Sequence, residues 1–430
     1  MHKVLLDKTT IILSFIIGSR FLGLFIVLPV ISLYGSRLEG ASPFLVGLIV
    51  GIYALFQMIF STPFGLLSDR FGRKSAMVLG LIIFIAGSLI CALSDDIYSM
   101  LLGRILQGAG SIGAVASAMI ADLVPEENRG AAMAVVGSSI GLSFIAAIIL
   151  GPLMARFLGL SSLFYLCIIL SVLCIFLLYA LPKESRVKDY KSKERASFTK
   201  DLLLMYLTSF MQRVIISSSF MLIPLGYVKL YSEESLYLMY LAAIALGFLA
   251  MGLAGVLGES RGLSKHILIS GVALFALSSL LFLLPGKALY LAAIFVFFLA
   301  FCLHEPIMQS SVSKLCKVSQ KGLVLGIFNG FGYAGSFTGG LMGGLFLHFN
   351  ALNALYISIF LACLIWLVLM LFMNNPNNFK NLYLNKGLNL NLIAHEIGIL
   401  EAYENGQNSI IKYNKSLVSD LEIKSKLGLS

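Results

Sequence analysis

The chain alternates between long apolar stretches and short polar breaks. A helix that crosses a bilayer needs about 20 mostly apolar residues, and twelve stretches reach that length. The pattern predicts twelve spanning helices, numbered here as spans 1 to 12, at residues 10–34, 43–66, 74–94, 98–122, 129–156, 161–181, 200–228, 233–257, 265–284, 288–313, 320–348 and 350–373. No small-residue cleavage pattern follows the first stretch, so we expect no cleavable signal peptide.

Composition narrows the class of protein. Of 430 residues, 59% are hydrophobic and 12% charged, and the mean hydropathy is +0.94. Soluble domains are roughly 45–50% apolar and 25% charged, so a soluble protein, a collagen, a coiled coil, a disulfide scaffold and a disordered chain are excluded. The predicted fold class is an all-α polytopic membrane protein. The six cysteines lack metal-ligand spacing, so we predict no metal site.

The distribution of Lys and Arg predicts the orientation. Alternate connections, beginning with the N-terminus, hold eighteen basic residues, against four in the opposite set. Basic connections remain in the cytoplasm, so both termini are predicted to be cytoplasmic. The net charge of +10 then reflects membrane topology, and we expect no nucleic-acid partner.

Two segments 190 residues apart indicate an internal duplication. Residues 65–72 and 255–262 share glycine, leucine, an acid and glycine in register, and spans 5 and 11 are both glycine-rich. Parallel repeats are typical of transporters whose two halves rock about a midplane site. The predicted units are a six-helix bundle (1–181), a cytoplasmic linker (182–199), a second six-helix bundle (200–375) and a small cytoplasmic α+β domain (376–430).

The break between spans 2 and 3 carries the most specific motif. It is Gly65-Leu66-Leu67-Ser68-Asp69-Arg70-Phe71-Gly72-Arg73-Lys74, which resembles in full the loop signature Gly-x-x-x-Asp-Arg-x-Gly-Arg-Lys of the major facilitator superfamily. The resemblance implies two pseudo-symmetric six-helix bundles. It also implies a conformational lock in which the aspartate meets the N-terminal end of span 11 and the second arginine bridges to an acid at the end of span 4. The lock residues are Gly65, Asp69, Arg70, Gly72, Arg73, Lys74 and Asp122.

Spans 4 and 5 resemble the drug:proton antiporter-like branch of that family. Arg104, Gln107 and Gly108 fit Arg-x-x-Gln-Gly, which the resemblance links to proton transfer; alternatively, Arg104 only bonds the backbone of span 1. Span 5 has Gly141 and Gly151-Pro152, but it lacks the first and last glycines of Gly-x-x-x-Gly-Pro-x-x-Gly-Gly, which weakens the inference to export. Residues 20–29 and 40–42 extend the similarity to a bacterial inner-membrane transporter type, and the resemblance covers residues 10–375.

Charge within the spans is scarce and therefore informative. Glu305 is the one carboxylate well inside a span, and Arg20, Arg104 and Arg213 are the basic residues there. Intramembrane ionisable residues are costly and mark ion pathways, so we predict Glu305 as the proton carrier with Arg20 or Arg213 as partner. The alternative is a permanent ion pair that fastens two helices. His304 is a further candidate for proton coupling, although packing is its more common role.

Aromatic and amide side chains on the spans indicate a cavity for a lipophilic or amphipathic substrate. The predicted cavity residues are Tyr53, Phe56, Gln57, Gln107, Phe210, Gln212, Asn329 and Tyr333. Individually, such aromatics more often pack between helices.

The tail after residue 376 has its own pattern. Alternation around Leu382 predicts a strand, residues 388–400 predict a helix, Asn405-Gly406 predicts a hairpin, and residues 417–427 predict a last helix. The order is similar to a ferredoxin-like domain without its final strand. Disorder until docking is the alternative.

We predict a secondary active transporter of the bacterial inner membrane, a proton-coupled exporter of small lipophilic or amphipathic compounds. The alternatives are a proton-coupled uptake symporter for a sugar or organic anion, and a transporter-like sensor or receptor. No nucleotide-binding or hydrolytic motif is present in the sequence, so we expect no enzyme activity and no cofactor beyond the proton gradient. The expected partners are a small-molecule substrate, protons and lipid, and we expect a monomer.

Overall fold

The computed structural model describes residues 8–124, 126–182, 198–317, 320–385, 387–393, 396–405, 408–427 and 429, so most of the predicted linker lies outside it. The helices are α1 (Lys8–Phe25), α2 (Leu28–Gly35), α3 (Pro43–Phe71), α4 (Arg73–Ala92), α5 (Ile97–Ala109), α6 (Gly113–Leu123), α7 (Glu126–Leu158), α8 (Ser161–Tyr179), α9 (Lys200–Leu230), α10 (Leu236–Ser260), α11 (Ser264–Leu283), α12 (Lys287–Leu315), α13 (Lys321–His348), α14 (Leu352–Leu371) and α15 (Asp420–Lys426). The strands are β1 (Phe379–Asn385), β2 (Ile399–Asn405) and β3 (Asn408–Asn414). Single 3-10 turns lie at Glu233–Ser235, Pro376–Asn378 and Leu390–Leu392.

Ten helical segments of the described chain are long and apolar enough to cross a membrane, and α1 with α2 forms one of them. Predicted spans 4 and 11 are not among the ten. Span 4 is divided into α5 and α6 at Gly110–Ile112, which leaves two helices of 13 and 11 residues. Span 11 is the 28-residue α13, and its many glycines contribute little hydropathy. The count of twelve therefore stays a prediction.

A glycine turn sets the geometry of the 65–74 loop. Gly72 ends α3 with a φ of +97°, a left-handed conformation that favours glycine, and α4 begins at the next residue. We call the end of the helices that carries this turn the loop end. The opposite end, where Ser42 caps α3 by accepting from the Leu45 amide, is called the far end.

The two ends of α13 are packed differently. At the far end, a Cβ built on Gly47 of α3 would lie 2.5 Å from the Gly340 carbonyl oxygen, so α3 and α13 meet backbone to backbone. At the loop end, a Cβ on Gly322, Gly326 or Gly330 would meet nothing within 4 Å. Small residues permit such close approach of spanning helices, and α13 approaches α3 in this way at its far end.

The tail forms a small antiparallel sheet in the order β1-β3-β2, which is the order of a ferredoxin-like sheet that lacks its last strand. The predicted hairpin is confirmed, because Asn405 pairs with Asn408 on either side of the turn. A short last helix is also present as α15. Ile393, Ile411 and Ile423 lie in the core that the sheet and α15 share.

The helix predicted over residues 388–400 is wrong. Only Leu390–Leu392 forms a single 3-10 turn, and β2 begins at Ile399. Gly387 and Gly398 adopt φ values of +96° and +97°, which are incompatible with a right-handed helix. Leu390 and Ile393 of this stretch pack in the core of the tail, whereas Ile397 is 83% exposed.

The tail docks on the loop end of α10, α11 and α12. Lys412 of β3 donates to the carbonyl oxygens of Ser313 (3.1 Å) and Cys316 (2.6 Å), at the C-terminal end of α12. Such terminal carbonyls have no partner within their own helix. Burial lowers the pKa of Lys412 from its ordinary value. Asn377 donates to the Gly258 carbonyl at 3.0 Å, and the Lys314 ammonium donates to the Asn377 Oδ1 at 2.6 Å. The described tail is thus folded and docked.

Candidate functional site

The break between α5 and α6 creates the setting for Arg20. At the end of α5, the carbonyl oxygens of Gln107 and Gly110 have no following turn of the same helix to bond, as is general at helix C-termini. Arg20 of α1 donates to them through Nη2, at 2.8 Å and 3.0 Å. The guanidinium also lies over the ring of Phe84, 3.7 Å from the centroid. Arg20 is therefore held between α1, α4 and α5, and its side chain is 7% exposed.

Arg104 of α5 lies nearby and is fully buried. Its Nη1 donates to Gln107 Oε1 at 2.8 Å, and the Gln107 amide donates to the Ser88 hydroxyl at 2.8 Å. Its Nε donates to the Ile49 carbonyl of α3 at 3.5 Å. The backbone partner of Arg104 is therefore span 2, and it is Arg20 of span 1 that bonds the backbone of span 4.

The two arginines share one aromatic neighbour and have no acidic one. The ring of Tyr53 lies 4.8 Å from the Arg104 guanidinium carbon and 5.5 Å from that of Arg20. Among the described residues, no Asp or Glu lies within ion-pair distance of either guanidinium. Five buried polar atoms here have no hydrogen-bond partner in the described chain: Arg20 Nε and Nη1, Arg104 Nη2, the Tyr53 hydroxyl and Gln57 Oε1.

The arginine of the second half has a carboxylate partner. Arg213 Nη2 of α9 donates to Glu305 Oε1 of α12 at 2.8 Å, and the Gln212 amide donates to Glu305 Oε2 at 3.4 Å. The side chains of Arg213 and Glu305 are 22% and 24% exposed. The structure therefore joins the predicted proton carrier to Arg213 and not to Arg20. This pair is also compatible with the alternative of a permanent fastening between two helices.

His304 is enclosed by packing contacts. Its Nε2 lies 2.6 Å from the Leu268 carbonyl oxygen, and its ring lies edge-on to Phe275 and Trp366. Gly271 gives it room, since a Cβ there would lie 2.1 Å from the imidazole. The surroundings favour the packing role that the sequence left open.

The predicted cavity residues do not all meet. Gln57 of α3 donates to the Tyr333 hydroxyl of α13 at 3.1 Å, which joins the two halves of the chain. Phe56 stacks on Phe60, Phe210 packs its backbone against Gly335, and Asn329 is exposed. Gln57 also borders a small open pocket, whose lining is Ile17, Arg20, Phe21, Leu24, Tyr53, Gln57, Ile112 and Gly113.

Around the 65–74 loop, Arg73 joins two acids. It donates to Asp69 Oδ1 at 2.5 Å and to Asp122 Oδ2 of α6 at 2.9 Å. Lys74 donates to the Leu181 carbonyl at 2.6 Å. The side chain of Asp69 is 59% exposed and pairs with Arg73 rather than with the N-terminal end of α13. Arg70 is exposed, and a Cβ on Gly65 would have open space around it.

The corresponding loop of the second half is held by the tail. Lys265 donates to the Leu371 carbonyl at 2.8 Å, much as Lys74 does to Leu181. In place of an arginine, Ser264 begins α11, and Asn377 of the tail bonds it at 2.8 Å. The contacts of Asn377 were not predicted from the sequence. The buried Lys412 was also missed, although a lone lysine between Ile411 and Tyr413 was an available signal.

The glycines of the span 5 motif have different surroundings. A Cβ on Gly151 would lie 2.3 Å from the Ile26 carbonyl oxygen, so α7 closely approaches the junction between α1 and α2. Gly141 has only the Met251 side chain nearby, at 3.9 Å. Pro152 lies within α7, which continues through it.

Known proteins are similar to this chain in sequence or in fold. The family model described as Major Facilitator Superfamily matches residues 13–303 and 202–406. The inner membrane transport protein YajR of Escherichia coli is 31% identical, with 96% of each chain covered. Multidrug resistance protein 2 of Bacillus subtilis is 26% identical over 81% of this chain and 92% of its own. Among solved structures, a D-xylose-proton symporter has a TM-score of 0.70 at 16% identity, covering 85% of this chain and 98% of its own, and it shares the fold.

Proposed function

Since the chain belongs to the Major Facilitator Superfamily of transporters, we propose that it is a secondary active transporter that couples proton entry to the export of small lipophilic or amphipathic compounds. Two relatives, an inner membrane transport protein and a multidrug resistance protein, support the location and the direction. The interior supports the substrate class, because the pocket beside Gln57 is lined mainly by apolar side chains.

The proposed architecture is twelve spans in two six-helix bundles with both termini in the cytoplasm. Packing supports two bundles: α1 packs on α7 and α8, and α9 packs on α13, while α3 and α13 form the main contact between the halves. With cytoplasmic termini, the loop end faces the cytoplasm. The uncovered glycines there, and the closed contact at the far end, then correspond to a conformation that is open to the cytoplasm.

The observation that carries the proposal is the pair between Glu305 and Arg213. A carboxylate inside a span is costly unless it is paired, and this one is only three-quarters buried, so protons can reach it. Protonation of Glu305 removes its negative charge and weakens its hold on Arg213. An exchange of the proton at this carboxyl, alternately from the two sides, would couple the proton gradient to the conformational change.

The exposed Asp69 fits the same cycle. In this conformation its carboxylate bonds Arg73, which also holds Asp122. On closure of the loop end, Asp69 would meet the first turn of α13, where the amides and the helix dipole favour an anion.

Flux through proteoliposomes with an imposed pH gradient tests the proposal. The compounds to follow are ethidium, taurocholate and xylose, each in both directions. We expect gradient-driven export of ethidium or taurocholate. Xylose uptake would overturn export in favour of symport, and the absence of flux for all three under any gradient would favour a sensor.

The matched variants are Glu305→Gln and Glu234→Gln, whose parent carboxylate is 79% exposed at the far end. For the compound that the wild type carries, Glu305→Gln should reduce gradient-driven flux at least tenfold yet leave exchange of labelled for unlabelled compound intact. Glu234→Gln should behave as the wild type. Unchanged coupling in Glu305→Gln would contradict the assigned carrier.

A further inference from the structure

We infer that the pocket between α1, α3 and α6 binds the anionic head of a small organic acid, with Arg20 as its counter-charge. The inference rests on the proposed transport function, for which it names a substrate class. It begins from a buried guanidinium with two unpaired donors, Nε and Nη1, that lines this pocket.

The charge around the pocket is positive and lacks internal compensation. Arg20 is 7% exposed and Arg104 is fully buried, and both lie against the ring of Tyr53. Carbonyl oxygens and the Phe84 ring supply only partial negative charge. Like charges in a medium of low dielectric repel strongly. An anion that enters the pocket would offset this repulsion between the two guanidinium groups, which no carboxylate among the described residues offsets.

Hydrogen-bonding groups at the pocket match a carboxylate or a similar head. Nε and Nη1 lie on different edges of the Arg20 guanidinium, so each can donate one charge-assisted hydrogen bond to an oxyanion. The Tyr53 hydroxyl is a further buried donor without a partner. The remaining walls are apolar, with Ile17, Leu24 and Ile112 among them. An anion with an apolar body fits this combination better than a hydrated inorganic ion.

The pocket adjoins the contact between the two halves. Gln57 borders it and donates to Tyr333 of α13. A ligand bound at Arg20 would therefore touch the side chain that links α3 to α13. Binding there would affect the contact between α3 and α13, which has to change during alternating access.

Equilibrium dialysis of the purified full-length protein with radiolabelled benzoate tests the inference. Benzamide is the neutral analogue of the same shape, benzylamine is the cationic one, and chloride is the inorganic competitor. We expect one saturable benzoate site per chain, from which benzamide and benzylamine displace the label at least tenfold less well than unlabelled benzoate. Displacement by benzamide as effective as by benzoate would overturn the anion site. If chloride saturates a site that depends on Arg20 and benzoate does not bind there, the assignment of an organic acid as the ligand is wrong.

Three variants locate the site. Arg20→Met should weaken benzoate binding roughly 10- to 100-fold, the range expected for loss of a charge-assisted hydrogen bond. Gln57→Glu, of nearly the same shape, adds a negative charge at the pocket and should weaken binding at least tenfold even if Arg20→Met fails to fold. Arg37→Met is the control, since Arg37 is exposed and pairs with Glu233 at the far end. Equal binding in all three would refute the site.

The outcome is separable from that of the proposed function. Benzoate binding that depends on Arg20, in a protein that carries none of the tested compounds, would reject transport and keep the site. Proton-driven ethidium export without Arg20-dependent benzoate binding would reject the site and keep transport.

Discussion

The two halves of the chain treat buried arginine in opposite ways. In the second half, Arg213 has a carboxylate at 2.8 Å, supplied by Glu305. In the first half, Arg20 and Arg104 are more deeply buried and have only carbonyl, amide and aromatic neighbours among the described residues. The same side chain in a similar setting is thus neutralised in one half and left positive in the other. This difference underlies both proposals, a proton carrier in the second half and an anion site in the first.

The loop ends of the halves differ in a related way. Arg73 joins the first-half loop to Asp122, the next-to-last residue of α6. At the next-to-last position of α12 stands Lys314, and the bridge from it to the second-half loop is Asn377 of the tail. The first-half contact is thus an ion pair within the bundle, and the described second-half contact is made through an amide of the tail.

The largest loss of stability should follow when the buried arginine of the second half is left without a carboxylate, as the arginines of the first half are. Glu305→Leu leaves Arg213 without its carboxylate, which costs about 3–5 kcal/mol for a fully buried pair and roughly 2 kcal/mol here, because both side chains are about a quarter exposed. Thermal unfolding of the purified protein measures this loss. The double variant with Arg213→Met should recover more than half of it. If the double variant is no more stable than Glu305→Leu, Arg213 does not depend on the charge of Glu305, and the two halves do not differ in this respect.

An effect of similar size, confined to the tail, is expected from Lys412→Met, which keeps the length of the side chain and removes the donors to Ser313 and Cys316. Hydrogen bonds from charged groups contribute about 1.5–3 kcal/mol, so backbone amides of β3 should exchange with deuterium roughly 10- to 100-fold faster. Lys380→Met, at an exposed position of β1, is the control. Equal exchange in the two variants would mean that the tail does not depend on α12.

Replacing the two bridges should separate them by their response to salt. Asn377→Ala removes neutral amide contacts, and Arg73→Gln removes partly exposed ion pairs. Each should destabilise the protein by about 1 kcal/mol at low ionic strength. Because salt screens exposed charges, only the Arg73→Gln loss should shrink when thermal unfolding is repeated in high salt. If high salt reduces the loss of stability equally in both variants, the two contacts do not differ in their charge.

The smallest expected effect concerns pH. Burial lowers the pKa of Lys412 below its ordinary value of 10.5, so the docked tail holds this proton less firmly than the undocked tail does. Docking should therefore be least favourable below the lowered pKa and become more favourable as the pH rises towards 10.5. Hydrogen exchange in β3, corrected for the intrinsic effect of pH, measures this trend, and Lys412→Met should abolish it. A trend of equal size in that variant would assign it to other groups.

The sequence predicted most of the long helices, since twenty apolar residues in succession have few alternatives to a membrane span. It also identified the acid at 305 as the exceptional charge. It could not choose between Arg20 and Arg213 as partner, because that choice depends on how α9 faces α12. The break before α6 and the failed helix at 388–400 were hidden as well, because spacing of apolar residues does not reveal the backbone angles of glycines such as Gly398.

The glycines of α13 affect how many side chains have to repack when such a protein changes conformation. One half of the helix already lies against bare backbone of α3, and the other half presents Gly322, Gly326 and Gly330 to open space. The loop end of α13 thus has a glycine face of the kind that allows close helix packing, and this face is not in contact with another helix. A tilt of α13 onto this second face would therefore require little reordering of side chains.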